Sequence, residues 1–459
     1  MRILPLVVVL LFASNAFPQS ESSNDDFAFA AGLHDRGLHD RAVTAFESFL
    51  KRWPKDARAG KARFHLGQSH AALGQDEAAL AQFEAYIATR ESDLQSEAHL
   101  RAGELEHRLG RSEAAVKRLT RLLRRPDLGG LEEPSLYALA EASSASGDPK
   151  AAESAYRMLL TKYPEGSYAP SAHSALGFLL FAQGKVGEAR THFASAAKSS
   201  SEDEDLKLEA RVLVAECALA EGNSQEAMDL AKSLQQAPGK WAPEVALLRA
   251  RALLELKQPE EAVKVFRQVA KQHGEAPTLR PTLLRAAADL ERQGQPRLGV
   301  GLLEQVRSNT PVESQEVAYW KGKLLLAAGQ VTESLEDLRS AAQTSPRRKF
   351  VYGDALARAE RHEEAAATFS ELRRAEDQDL RQEATFAEAF SRSRLGDGEQ
   401  AVSLLRSLSK EKLSSDLAQD VTFALAENLF GLKRYGEAAL VYDRVVAVVG
   451  SPRAVPALH

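Results

Sequence analysis

The chain has 459 residues, 44% of them hydrophobic and 27% charged, so it carries enough apolar surface to fold and is too rich in it for a disordered polymer. Its 59 basic and 64 acidic residues are scattered along the whole length for a formal net charge of −5, which offers no stripe for nucleic acid and no polybasic patch for a membrane surface. Cys217 is the only cysteine. No internal disulfide can therefore form, and beside Val214, Ala215 and Ala218 it reads as a small core residue.

At the N-terminus, Arg2 precedes an apolar run from Ile3 to Phe12 and then Ala13-Ser14-Asn15-Ala16, the order of a secretory signal peptide cleaved after Ala16. Ten apolar residues make about 15 Å of helix, half of the roughly 30 Å hydrocarbon core, so a membrane anchor is geometrically poor. No cysteine follows the run, which closes the lipoprotein route. The expectation is a signal peptide over 1–16, a flexible leader over 17–25, and a mature protein that is periplasmic or secreted and not stably inserted in a membrane.

From residue 26 to 450 a single pattern recurs. A small residue is followed four positions later by a large apolar one, as in "DRAVTAF", "DEAALAQF" and "EEAVKVF". The small anchors are Ala42, Ala79, Ala115, Ala152, Ala189, Ala227, Ala262, Gly299, Ser334, Ala365, Ala401 and Ala438, at intervals of 31 to 38 residues with a mean of 36. Four residues on stand Phe46, Phe83, Leu119, Tyr156, Phe193, Ala231, Phe266, Leu303, Leu338, Phe369, Leu405 and Tyr442, an offset that puts both members on one helical face. Twelve residues before each anchor lies another glycine or alanine: Ala30, Gly67, Gly103, Ala140, Gly177, Ala215, Ala250, Ala287, Gly322, Gly353, Ala389 and Ala426. Five before nine of the twelve anchors is a glycine, the residue that ends a helix in the left-handed conformation at no steric cost. Each repeat therefore reads as a helix hairpin. Pro54, Pro164, Pro311 and Pro346, twelve after their anchors, are expected to mark the end of the second helix. The register is weakest between 295 and 365, where Gly299 and Ser334 replace alanine and one interval shrinks to 31. Residues 451–459 are expected to form a disordered tail.

Two helices per period, small residues that let the axes approach, and an aromatic beside the contact make the chain resemble the tetratricopeptide repeat (TPR) family. The likeness is strongest in "FHLGQSHAALGQDEAALAQFEAY", "SALGFLLFAQGKVGEARTHF" and "FALAENLFGLKRYGEAALVYDRV". It implies an all-α fold, a right-handed α-solenoid of about twelve hairpins, that binds protein rather than catalysing a reaction. The phrase "TKYPEGSYAPSAHSALG" resembles exported bacterial members, the periplasmic Tol–Pal-associated coordinator and outer-membrane assembly components, and implies a scaffold role in the cell envelope.

In such a solenoid the first helix of each hairpin lines a concave groove, and residues three before and one after its small residue are expected to point inward. The candidate contacts for a protein or peptide segment are Phe27, Phe64, Tyr137, Phe178, Phe181, Tyr319, Phe350, Phe386, Phe390, Phe423 and Phe430. The competing reading of the same rings is ordinary core packing between helices. The inward polar residues are mixed in sign: Glu104, Glu141, Glu216, Arg251, Lys323, Asp354 and Glu427.

No enzyme signal stands beside these. His34 and His39, Glu106-His107 and His362-Glu363-Glu364 lack the ligand spacing of a zinc site and read as solvated or capping residues. Gly299 and Gly301 fall inside a second helix with no strand before them, so they form no dinucleotide loop. The acidic run from Ser201 to Asp205 reads as a loop leading into a helix. No catalytic residue, metal or cofactor is expected. Two other readings share the fold: a spacer with an unused groove, and a non-catalytic relative of the helical domain of a lytic transglycosylase.

Overall fold

A computed structural model describes residues 22–91, 93–200, 202–306 and 310–446. The expected signal peptide, most of the leader and the tail lie outside these residues. Twenty-four α-helices follow one another, and no strand occurs among the described residues. They are α1 (Ser23–Asp35), α2 (His39–Arg52), α3 (Ala59–Ala72), α4 (Asp76–Thr89), α5 (Gln95–Arg108), α6 (Ser112–Leu122), α7 (Glu132–Ala145), α8 (Pro149–Lys162), α9 (Ala169–Ala182), α10 (Val186–Ala197), α11 (Glu204–Ala220) and α12 (Ser224–Ser233). The series continues with α13 (Trp241–Glu255), α14 (Pro259–Gln272), α15 (Leu279–Arg292), α16 (Pro296–Leu303), α17 (Pro311–Ala327), α18 (Val331–Ala341), α19 (Pro346–Arg358), α20 (His362–Leu372), α21 (Gln378–Arg394), α22 (Gly398–Leu408), α23 (Ser415–Gly431) and α24 (Tyr435–Val446). The chain divides into two compact units, residues 1–217 and 218–459. Within each, consecutive helices pack as hairpins that stack on their neighbours.

The small-residue register explains the packing. All twelve anchors of the second helices are buried, and so are all twelve glycines and alanines of the first helices. The glycines of the first helices are sites of close approach. A Cβ on Gly177 would stand 2.6 Å from the Phe193 ring, and one on Gly353 would stand 2.7 Å from that of Phe369. Gly67, Gly103 and Gly322 meet Phe83, Leu119 and Leu338 in the same way. Each partner is the large residue four after its anchor. Phe46, Phe83, Phe193, Phe266 and Phe369 are all sealed in the core, at about 1.5–3 kcal/mol of burial per ring.

The turn inside each hairpin is also uniform. Nine of the twelve positions five before the anchors are glycines with φ between 71 and 83°, and the other three, Lys257, Glu360 and Lys433, adopt φ of 59, 60 and 61°. The following amide closes the same bond in both cases, from Gln75 N to His70 O at 2.9 Å after Gly74 and from Arg361 N to Leu356 O at 3.0 Å after Glu360.

The structure corrects two expectations. The first helix opens at Ser23, ahead of the expected start at 26, because the Ser22 side chain accepts from Asp25 N and caps it. Pro311 and Pro346 do not close second helices. They sit at the first turn of α17 and α19, behind the caps Thr310 and Ser345, where proline's fixed φ suits a helix start and no amide is needed. Only Pro54 and Pro164 follow a second helix directly. The register across 295–365 holds: Gly299, Ser334 and Ala365 are buried in α16, α18 and α20. The short interval arises because α18 has 11 residues, only four residues link it to α19, and α19 has 13 residues where α21 and α23 have 17. The acidic run does lead into a helix, with Leu206 N donating to Asp203 Oδ1 at 2.9 Å near the start of α11. Cys217 is buried in the core that holds Phe193 and Leu176.

Candidate functional site

The eleven candidate aromatics separate by their offset from the small residue of the first helix. Those three before it pack inward on the hairpin's own second helix. Phe64 is only 2% exposed, edge-on to Phe83 at 5.4 Å and Tyr86 at 5.5 Å, so it has no face left for a partner. Phe27 packs on Phe46 and Phe49 at 6.2 and 5.5 Å with the Arg58 guanidinium over its ring. Tyr137 packs between Tyr156 and Tyr168, and burial pushes its phenol up to about 12. Phe350 lies on Phe369 at 5.3 Å and Phe423 on Tyr442 at 6.2 Å. Tyr319 sits between Trp320 and the Arg348 guanidinium. All of these except Phe64 are half-buried, as is Phe386. The physical reason is that a ring three before the small residue lies over the same helix-helix contact that the small residue opens.

The aromatics one and four after the small residue behave differently. Phe178 and Phe181 on α9 are 45% and 39% exposed, Phe390 on α21 is 47% and Phe430 on α23 is 57%. Phe178 is anchored by an edge contact with Phe193 at 5.2 Å, and Phe430 by one with Tyr435 at 5.2 Å. On the second unit, Phe386 and Phe390 line a cleft of about 490 Å³ between α19 and α21, together with Ala357, Phe369, Arg358 and Arg394. The Arg394 guanidinium lies over the Phe390 ring at 5.2 Å. Such a cleft presents an apolar wall and an edge of mixed charge, with Asp354 and Glu360 beside the two arginines, which suits a peptide side chain.

Several polar residues one after the small residue prove to be tied into their own hairpins. Glu141 accepts from the Tyr156 hydroxyl and Glu427 from that of Tyr442, the tyrosines that stand where other repeats carry phenylalanine. Burial and these carboxylates push both phenols far up. Lys323 pairs with Glu291 at 2.9 Å and Asp354 with Arg358 at 2.9 Å.

His34, His39, His107 and His362 are all half-buried. His34 packs on His39 and His65 at 5.5 and 5.3 Å, and its Nδ1 meets Ser69 Oγ at 2.9 Å. Burial and the two neighbouring rings hold its pKa below the usual value. Among the described residues no three side chains of metal-ligating type are gathered. Sequence reasoning missed Phe29, which is exposed on α1, and Tyr435 and Leu440, exposed on α24. It also missed a row of cations on α6, although "SEAAVKRLTRLLRR" displays it openly.

Sequence models of the tetratricopeptide repeat match residues 32–93, 100–167, 137–204, 174–240 and 284–349, and a second model of the same repeat matches 218–280. No curated protein matches the chain. Among solved structures it is similar to a tetratricopeptide repeat protein from Parabacteroides merdae, with 15% identity over 57% of this chain and 98% of that one and a TM-score of 0.40. It is also similar to the C-terminal part of a TPR repeat-containing protein from Cytophaga hutchinsonii, with 12% identity over 56% and 98% and a TM-score of 0.45. PilF of Pseudomonas aeruginosa is 15% identical over 47% of this chain and 90% of its own, with a TM-score of 0.38. With buried small residues in phase through twelve repeats and the repeat's own sequence model matching more than half of its length, the chain belongs to the tetratricopeptide repeat family.

Proposed function

We propose that this chain is a non-catalytic scaffold that holds a segment of another protein against the exposed aromatics of its first helices, outside the cytoplasm, in cell-envelope assembly or maintenance. Proteins of this repeat family bind protein partners. The observation that carries the reading is the exposure of Phe178, Phe181, Phe390 and Phe430 on first helices, where the rings three before the small residue are buried or half-buried. Rigid rings lose little rotamer freedom on binding, and exposed apolar surface gains most from being covered. The extracytoplasmic placement rests on the charged, apolar and small-residue order of residues 2–16. No helix among the described residues is long and apolar enough to cross a membrane.

The test is site-specific photo-crosslinking in envelope fractions. A photoreactive residue at 178 or 390 should capture a discrete protein band, and one at exposed Thr44 should not. Phe178→Ala with Phe181→Ala, or Phe390→Ala with Phe430→Ala, should lower capture at least tenfold. Equal capture at 44 and 178 would remove the reading. The burial of the rings three before the small residue favours a second reading, a spacer that binds only at its ends. In that case 178 would stay silent while positions on α24 captured the partner.

A further inference from the structure

The second helices carry a feature that the aromatic faces do not use. Lys117, Arg121 and Arg125 follow one another at intervals of four, the first two on α6 and the third just past its end, so they form one row. They line a cleft of about 520 Å³ that α4, α5 and α6 enclose, with Glu84, Ile87, His99, Glu106, Ala114, Arg118 and Leu122. The two carboxylates of the cleft are already taken. Arg118 grips Glu106 through Nε and Nη2 at 2.9 and 2.8 Å and also pairs with Glu84. Arg125 donates only to Ser96 Oγ, at 3.3 Å. Among the described residues no carboxylate pairs with Lys117, Arg121 or Arg125.

Like charges four apart on a helix repel one another and destabilise it. The carbonyl end of α6 offsets part of that for Arg121 and Arg125 but none for Lys117. At the floor, His99 Nδ1 faces Arg118 Nη1 at 3.5 Å, a contact that a neutral ring accepts. Burial, followed by Arg125 and Arg118, holds His99 down to about 4. Four cations, set against Glu84 and Glu106, thus surround a half-buried ring. Ile87 and Leu122 supply apolar wall beside the charges.

We infer that the cleft between α4, α5 and α6 is a second docking site, which takes an acidic peptide segment of a partner, its carboxylates on Arg121 and Arg125 and its aliphatic stems on Ile87 and Leu122. Resting on the reading of the chain as a protein-holding scaffold, this names the chemistry of what a face other than the aromatic one would hold. A flexible segment with successive Glu or Asp residues matches a row of cations at one-turn spacing, and bidentate guanidinium–carboxylate pairs supply the geometry.

The probe is fluorescein-labelled hexaglutamate, titrated with the full chain and read by anisotropy. It should bind with an affinity that falls steeply with salt, whereas hexalysine should not bind, and excess inorganic phosphate should not displace the peptide. Arg121→Glu with Arg125→Glu should lower affinity at least tenfold, and the milder Arg121→Gln with Arg125→Gln less so, with circular dichroism unchanged in the latter. Lys51→Glu with Lys55→Glu, the same charge change on another face, should leave it unaltered. The imidazole resonance of His99, assigned through His99→Asn, should titrate at higher pH when the peptide is bound. Hexaglutamate binding that survives both arginine double variants would overturn the inference. So would displacement by phosphate at equal concentration, which would make the cleft a site for a free anion, and so would a His99 titration that ignores the peptide. Phe178→Ala with Phe181→Ala should keep hexaglutamate binding, so the aromatic faces and the basic cleft stand or fall separately.

Discussion

The hairpin α3/α4 and the hairpin α9/α10 solve one packing problem in two ways. In each, a glycine of the first helix, Gly67 or Gly177, brings the backbone against a phenylalanine of the second, Phe83 or Phe193. In α3/α4 the edge of that ring is covered by Phe64, three before the glycine, and the residue one after is polar Gln68. In α9/α10 the position three before is the small buried Ser174, and the edge contact comes from Phe178, one after the glycine. The same ring-to-ring contact is made, at 5.4 and 5.2 Å, but only the second arrangement leaves half of the covering ring in solvent. Phe178 is therefore a core contact made from the outside. That is why it can be exposed and rigid at once.

The largest effect that can break this comparison is truncation of the two covering rings. Phe64→Ala should cost about 3–5 kcal/mol, the range for a buried phenylalanine, whereas Phe178→Ala should cost about 1 kcal/mol and act chiefly on partner capture. Because stacked repeats open locally, native-state hydrogen exchange resolved by hairpin is the suitable measurement. Equal losses in the two hairpins would mean that Phe178 is a core residue like Phe64. A smaller effect sharpens the glycine half of the comparison. Gly177→Ala should cost about 1–3 kcal/mol, because its Cβ has Phe193 2.6 Å away. Adding Phe193→Leu should return part of that loss, and a double-mutant cycle would measure how much.

The repeat was legible in the sequence because its determinants are local: a small residue, a ring four on, a glycine five before. Each has a fixed offset, and offsets survive without coordinates. Which face of a first helix would be wet was not legible. Phe64 and Phe178 are both helical phenylalanines a few residues from a glycine, and their fates differ with the occupant of the position three before it: Phe64 itself in one hairpin, and in the other small Ser174, which leaves Phe178 to cover the ring from outside. Prolines misled for a related reason. Pro164 and Pro346 stand at the same distance from their anchors, but α18 is shorter than α8, so the same count lands past a helix end in one repeat and on the next helix start in the other. The basic cleft was hidden by averaging, since a near-balanced count of charges says nothing about Lys117, Arg121 and Arg125 lining one cleft along α6 and just past its end.

Acid should also separate regions of the molecule. In α9/α10, His173 and His192 face each other with Nδ1 atoms 2.9 Å apart, and burial followed by the partner ring holds His173 down to about 4 from its ordinary 6.5. The unfolded chain takes up this proton near 6.5 and the folded hairpin only near 4, so stability is complete above 6.5 and falls as the pH drops toward 4. In α21/α22, which carries no histidine, burial raises the Glu388 carboxyl despite Arg373 and Arg392. Its folded state accepts a proton before the unfolded one does, so acid helps it. Lowering the pH from 7 to 5 should therefore lower the protection of amides in α9/α10, with the slower intrinsic exchange at pH 5 divided out, and not in α21/α22, and His173→Gln with His192→Gln should abolish that loss.

The smallest effect concerns the turns, where nine hairpins use glycine and three do without it. Lys257, Glu360 and Lys433 hold φ near 60°, a conformation that costs an L-residue roughly 1–2 kcal/mol, while glycine gives back about 0.5–1 kcal/mol in the greater freedom of its unfolded chain. Glu360→Gly should therefore stabilise α19/α20 by about 0.5–1 kcal/mol, and Gly74→Ala should destabilise α3/α4 by a similar amount. Glu360 lies in the wall of the cleft that Phe386 and Phe390 also line. If Glu360→Gly tightens the hairpin but weakens capture at residue 390, glutamate is kept there for the partner. If it tightens the hairpin and leaves capture unchanged, that turn tolerates a side chain it does not use.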